Sequence, residues 1–171
     1  MAILQVTDFQ SGRYKIPVKT VQDSGFTSII DKVENTYLPR LFGVELYDLF
    51  IADLSVGTPQ VPSDPRFLKV FNAFNDQTDD CLTQSEGMKV MLEGLVYYLY
   101  VRDGVTRVTT DGVKVTTGEN SDNITAIGHD ITSRYNEAIA TYQVIQNYMC
   151  VVDPDTYPEY EGVQERFNHI F

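Results

Sequence analysis

The chain has 171 residues, with 13 Lys and Arg against 24 Asp and Glu and a formal net charge of −11. That length suits one domain, able to bury about 70% of its unfolded surface and so to build a core without disulfides. The acidic balance argues against a protein whose task is to grip nucleic-acid phosphates, although an acidic surface would also let DNA pass without sticking.

Residues 2 to 16 read as an extended arm or edge strand ending at Ile16-Pro17, where proline biases its predecessor away from helix. The start of the chain is neither basic nor strongly apolar, so it does not read as a signal peptide. No stretch approaches the ~18 consecutive apolar residues of a membrane span. Cys81 and Cys150 lie far apart and follow no ligand spacing, which fits reduced thiols in a soluble, intracellular chain.

A helical pattern runs from Val18 through Val21, Ile29, Ile30, Val33 and Tyr37, with a break and restart at Asp23-Ser24-Gly25 and an end or bend at Pro39. A short helix follows from Val44 to Leu54, with Leu46, Leu49, Phe50 and Leu54 on one stripe. Residues 55 to 63 carry Gly57, Pro59 and Pro62 and read as a loop. Asp64 then caps a helix with Pro65 in its first turn, and Phe67, Val70, Phe71 and Phe74 continue as its stripe into the polar run Asn75 to Asp80. Thr83-Gln84-Ser85-Glu86 fits a capping box for the next helix. That helix carries Met88, Met91, Leu92, Leu95 and Leu99 on one face and is widened by Tyr97, Tyr98, Tyr100 and Val101, so it is expected at the centre of the fold.

Residues 104 to 118 read as a β-hairpin turning at Asp111-Gly112. Pairing Thr110 with Val113 sets Val108 opposite Val115 and Thr106 opposite Thr117. Thr106, Val108, Thr110, Val113, Val115 and Thr117 then share a face that forms a candidate assembly interface. Arg107 and Lys114, on the other face, are candidates for touching DNA or an acidic partner, or simply charges that keep an exposed ribbon from aggregating. A lone two-stranded ribbon is marginal in water, so this one is expected to rest on its own domain or on another chain.

After Ser121, a candidate N-cap, apolar residues fall at Ile124, Ile127, Ile131, Tyr135, Ala138, Tyr142, Ile145, Met149 and Val152, in steps of three and four. This predicts a helix about 45 Å long packed on another helix, either of its own chain or of a neighbouring subunit. Asp153-Pro154-Asp155 and Tyr157-Pro158 break it. Val163, Phe167 and Ile170 recur at helical spacing, so the tail from 153 to 171 is expected to dock.

Catalytic templates find no footing. There is no nucleophile elbow, two-histidine zinc helix or phosphate-cradling glycine loop; His129 lies off the Ile127/Ile131 seam and reads as a surface histidine, and His169 sits in a tail not expected to organise a site. Asp153, Asp155, Glu159 and Glu161 do not make a calcium loop, because its sixth position is Pro158 and its twelfth is Gln164. The expectation is therefore no catalytic, cofactor or metal site. The fold class is mainly α, a helical bundle in one domain over 1–171, with one long helix, an extended arm over 1–17, an inserted hairpin over 104–118 and a docking tail.

The segment Tyr37-Leu38-Pro39-Arg40-Leu41-Phe42-Gly43-Val44-Glu45-Leu46-Tyr47, the helix ending Tyr97-Tyr98-Leu99-Tyr100-Val101-Arg102-Asp103 and the Thr/Val/Gly-rich stretch after it resemble the head-to-tail connector proteins of tailed bacteriophages. The chain is also similar to ring proteins of crAss-like podoviruses. The resemblance implies a structural virion protein, assembled in the host cytoplasm as a closed ring of about twelve copies beneath the portal. Its partners would be further copies of itself, the portal protein, the next tail or ring protein and DNA that passes without specific binding, with no membrane and no catalysis. Two other readings are a tail-completion protein and, in a different class, a small-molecule enzyme or ligand-binding domain with a pocket around Tyr97, Tyr98 and Tyr142.

Overall fold

The computed structural model describes residues 3–16, 24–55, 59–78, 81–109, 112–115 and 124–161; from 104 to 130 it describes backbone alone. The chain is mainly α with an inserted β-hairpin, as its apolar periodicity requires. Five α-helices lie among the described residues: α1 (Ser24–Phe42), α2 (Val44–Asp53), α3 (Pro65–Phe71), α4 (Met88–Val105) and α5 (Ile124–Asn147). They are joined by two antiparallel hairpins, β1 (Phe74–Thr78) with β2 (Cys81–Ser85) and β3 (Thr106–Thr109) with β4 (Gly112–Val115).

The centre is α4. Met88, Met91, Leu92, Leu95 and Val96 are all at most 1% exposed, and Leu99 closes the stripe. α5 packs antiparallel along it, with Tyr98 against Tyr135 and Gly94 close to Ala138. A Cβ at Gly94 would lie 3.0 Å from the Ala138 Cβ and 3.1 Å from the Tyr14 hydroxyl, so the missing side chain lets the helices approach. The seam residues Ile131, Ala138, Tyr142, Ile145 and Met149 are buried within this chain. The long helix is therefore an intramolecular partner, running 24 residues and continuing as a π-helical turn over Tyr148–Val152.

Pro39 does not stop α1, which runs on to Phe42 and turns at Gly43, where φ is +78°. The elbow places Phe42, Phe50 and Phe67 of three successive helices in mutual ring contact at 4.9 to 6.0 Å between centroids. Asp64 caps α3 as expected, its carboxylate accepting from the Arg66 amide at 2.9 Å.

Four sequence expectations are corrected. Phe74 leaves the helical stripe, because α3 ends at Asn72 in extended conformation and the polar run becomes β1 and β2. Pairing Phe74 with Ser85 and Asp76 with Thr83 turns Phe74, Thr83 and Ser85 inward, while Asn75, Gln77, Leu82 and Gln84 face out. The capping box at Thr83 consequently does not form. Thr83 and Ser85 are strand residues, α4 starts later at Met88, and the Glu86 carboxylate binds Arg13.

The N-terminal segment is not an extended arm along its length. It makes a 3-10 turn over Val6–Phe9 and buries Ile3, Leu4, Phe9, Tyr14 and Ile16 in the core. Alternating apolar and polar residues produce this as readily as a strand, because one turn of 3-10 helix also turns Phe9 inward, edge-on to Phe26 at 4.9 Å.

The fourth correction concerns the inserted hairpin. It exists, but Thr106 pairs with Val115, Arg107 with Lys114, Val108 with Val113 and Thr109 with Gly112. The expected pairing of Val108 with Val115 is thus shifted by two residues, and Gly112 serves as the first residue of β4 instead of the second turn residue. A shift by two keeps every position on its original side of the ribbon.

Candidate assembly surface

The hairpin grows directly from the last residue of α4, since Val105 ends the helix and Thr106 begins β3. Among the candidate interface residues, Thr106, Val108, Val113 and Val115 fall at facing positions of the ribbon, whereas Thr110 and Thr117 lie outside the described residues. Arg107 and Lys114 come directly opposite each other. Like charges at facing positions repel, so this pair favours an anionic neighbour. Val163, Phe167, Ile170 and His169 also lie outside the described residues.

The part of the tail that is described does dock. Tyr157 is 2% exposed and its hydroxyl donates to the Arg66 carbonyl at 2.7 Å, while Arg66 reaches Glu159 at 3.0 Å. Asp153 accepts from the Tyr148 hydroxyl at 3.1 Å and from the Thr156 hydroxyl at 2.9 Å. These contacts occupy two of the four acidic residues in structural roles, and no cluster of His, Cys, Asp or Glu able to hold a metal occurs among the described residues.

The three tyrosines proposed as a pocket do not converge. Tyr97 meets the Tyr14 ring at 5.9 Å, Tyr98 meets Tyr135 at 4.6 Å, and Tyr142 is fully buried in the seam of α5. They fill the interior between elements.

An open groove of about 540 Å³ lies elsewhere, between β2 and α5. Leu82 and Gln84 form one wall, and Ala140, Gln143, Val144 and Asn147 the other. None of the groove's lining residues is charged, and Leu82 at its rim is 65% exposed. Sequence periodicity passed over this groove because Leu82 belongs to a strand of otherwise polar residues. Its outward position follows only from the register with Gln77.

A second feature is the polar fastening of the N-terminal segment. The Leu4 amide donates to Glu34 Oε1 at 2.8 Å, Asp8 binds Lys89 at 2.8 Å, and Arg13 bridges Glu86 at 3.1 Å and also Glu137. Glu34 is fully buried and its Oε2 has no partner. Burial pushes its carboxyl up to about 7, against the opposing pull of the Leu4 amide. Glu93 is likewise raised to about 7 by burial, with Lys89 pulling it down and Asp8 pushing it up. The signal for Glu34 was a charge inside the apolar stripe Ile30, Val33, Leu38 and Leu41, each at most 3% exposed.

Compared with protein-family models, curated proteins and solved structures, the chain matches none of them. No described helix is long and apolar enough to cross a membrane.

Proposed function

We propose that this chain is a structural protein of the head-to-tail connector of a tailed bacteriophage. In this reading it forms a ring beneath the portal, joins capsid to tail and lines part of the DNA channel. The observation that carries it is the placement of the hairpin: a ribbon of four-residue strands extends from the end of the central helix pair, with uncharged Thr and Val positions on one side and a facing Arg–Lys pair on the other. The motif that underlies the resemblance, Tyr37 to Tyr47, forms the α1–α2 elbow and supplies Leu38, Leu41, Phe42 and Leu46 to the core.

In a closed ring of more than two copies the contact is head to tail, so the ribbon would meet a different surface on the next copy. The net charge of −11 suits a channel wall that DNA crosses without arrest. Light scattering followed by electron microscopy of the purified protein, with and without the portal protein of the same phage, tests the proposal. Rings, alone or ordered on the portal, are the expected result. A tight monomer that ignores the portal contradicts it.

A further inference from the structure

We infer that residues 3–16 are a proton-controlled latch: they dock on the helices as one unit and detach when the carboxyls beneath them, Glu34 on α1 and Glu93 on α4, ionise. The latch lies within one subunit and is independent of the ring reading.

The segment is attached in a way that lets it leave whole. Its backbone hydrogen bonds close on itself, from the Asp8 amide to the Gln5 carbonyl, from Gln10 to Thr7 and from Ile16 to Phe9. Among the described residues, no backbone hydrogen bond joins it to a helix. Ile3, Leu4, Phe9, Tyr14 and Ile16, each at most 3% exposed, hold it by apolar contact, and Glu34, Lys89 and Arg13 supply its polar ties. A segment held only through side chains opens at lower cost than the helices it covers.

Both carboxyls are worse placed charged than neutral while the segment is docked. Glu34 is fully buried; the Leu4 amide donates to its Oε1 at 2.8 Å, and its Oε2 has no partner. One donor is too few for a buried carboxylate, whereas a protonated carboxyl needs less. The Leu4 and Ile3 amides and the chain's amino terminus favour its charge, and Asp31 on its own helix opposes it. Tyr47 of α2 faces it as a neutral phenol. Glu93 is half-buried one turn beyond Lys89, which grips Asp8 at 2.8 Å. Once charged, Glu93 draws on Lys89 and repels Asp8, so its ionisation loosens the tie on the turn over Val6–Phe9.

Docking therefore tightens as pH falls. Burial holds both carboxyls up to about 7 against an ordinary 4.5, so the open population rises between those values and is level above them. From about pH 5 to about pH 8 each carboxyl multiplies it by up to about 70-fold, the limit reached when release restores the ordinary value.

Hydrogen–deuterium exchange of the full chain across that range, corrected for intrinsic exchange rates, tests the latch. Protection of the Leu4, Asp8 and Ile16 amides should fall about tenfold or more from the acid to the alkaline end, while that of Leu92 and Leu95 in α4 holds. Glu34→Gln and Glu93→Gln should each remove part of the fall, and the double variant should keep the segment protected throughout. Thermal melting checks that the variants fold, and Glu93→Gln, at the less buried position, serves alone should Glu34→Gln melt early. Constant protection of the segment overturns the latch. A fall shared equally by Leu92 and Leu95 overturns it in favour of global unfolding. A fall that persists undiminished in the variants overturns the two carboxyls as its trigger.

Discussion

The two hairpins of this chain are held in place by different means. β1–β2 has no strong turn sequence and few β-branched residues, yet its register is fixed by what it buries: Phe74 lies 4.8 Å from the Tyr148 ring, and Thr83 and Ser85 point inward beside it. Its base is pinned by Gly87, whose φ of +89° brings it so close to Asn72 that an added Cβ would lie 2.4 Å from the Asn72 carbonyl carbon. β3–β4 carries an Asp-Gly signal and β-prone residues throughout, and local sequence alone was enough to find it. Tertiary packing specifies the first hairpin, whereas the second is marked by its own β-prone residues. A ribbon specified locally is available to be used between molecules.

The contrast can be broken from its strongest point downward. Phe74→Ala should destabilise the fold by about 3 kcal/mol, the ordinary cost of emptying a buried phenylalanine site, read as a fall in the urea midpoint. Gly87→Ala should cost about 2 to 3 kcal/mol through left-handed strain and the clash with Asn72, read by the same titration. Val108→Asp with Val115→Asp should change monomer stability by less than about 0.5 kcal/mol. If the two hairpins prove equally sensitive, the distinction between them fails.

The N-terminal fastening sharpens the comparison from a third side. Glu34 has a folded carboxyl near 7 against an ordinary 4.5, so between those values the folded chain holds its proton more tightly than the unfolded chain. Stability from this group is complete below pH 4.5, falls as pH rises through about 7 and is flat beyond. The loss should be on the order of 3 kcal/mol. Glu34→Gln should remove its own share of that slope, leaving the comparable slope that Glu93, also raised to about 7, contributes in the same window. An unchanged slope in the variant would remove Glu34 as its source. The effect belongs to the core, because this carboxylate sits inside α1 behind Leu4.

What was legible in the sequence follows the same division. Helices with an apolar stripe were readable because burial repeats at their own period, as Met88, Met91, Leu92 and Leu95 show. Pro39 was overweighted: its ring sits in the last turn of α1, where tertiary packing of Leu38 and Phe42 carries the helix on to Gly43. β1–β2 was hidden because its inward residues are mostly small and polar, so alternation carried no hydrophobic contrast. The register of β3–β4 was missed by two residues because Asp-Gly placed the turn by its commonest type, whereas the backbone starts β4 at Gly112. The groove left no local trace, and Glu34 showed only as a charge inside the apolar stripe of α1, because both depend on which surfaces face each other and no local pattern encodes that.

The central claim is that the hairpin joins subunits without holding the subunit together. Sedimentation velocity of the double variant Val108→Asp/Val115→Asp beside wild type, each with the portal protein of the same phage, tests it most directly, with melting curves of the free chains in parallel. The account predicts that wild type co-sediments as a portal-bound ring while the variant stays behind as a monomer of unchanged melting temperature. A variant that still assembles on the portal, or one that unfolds, would contradict it.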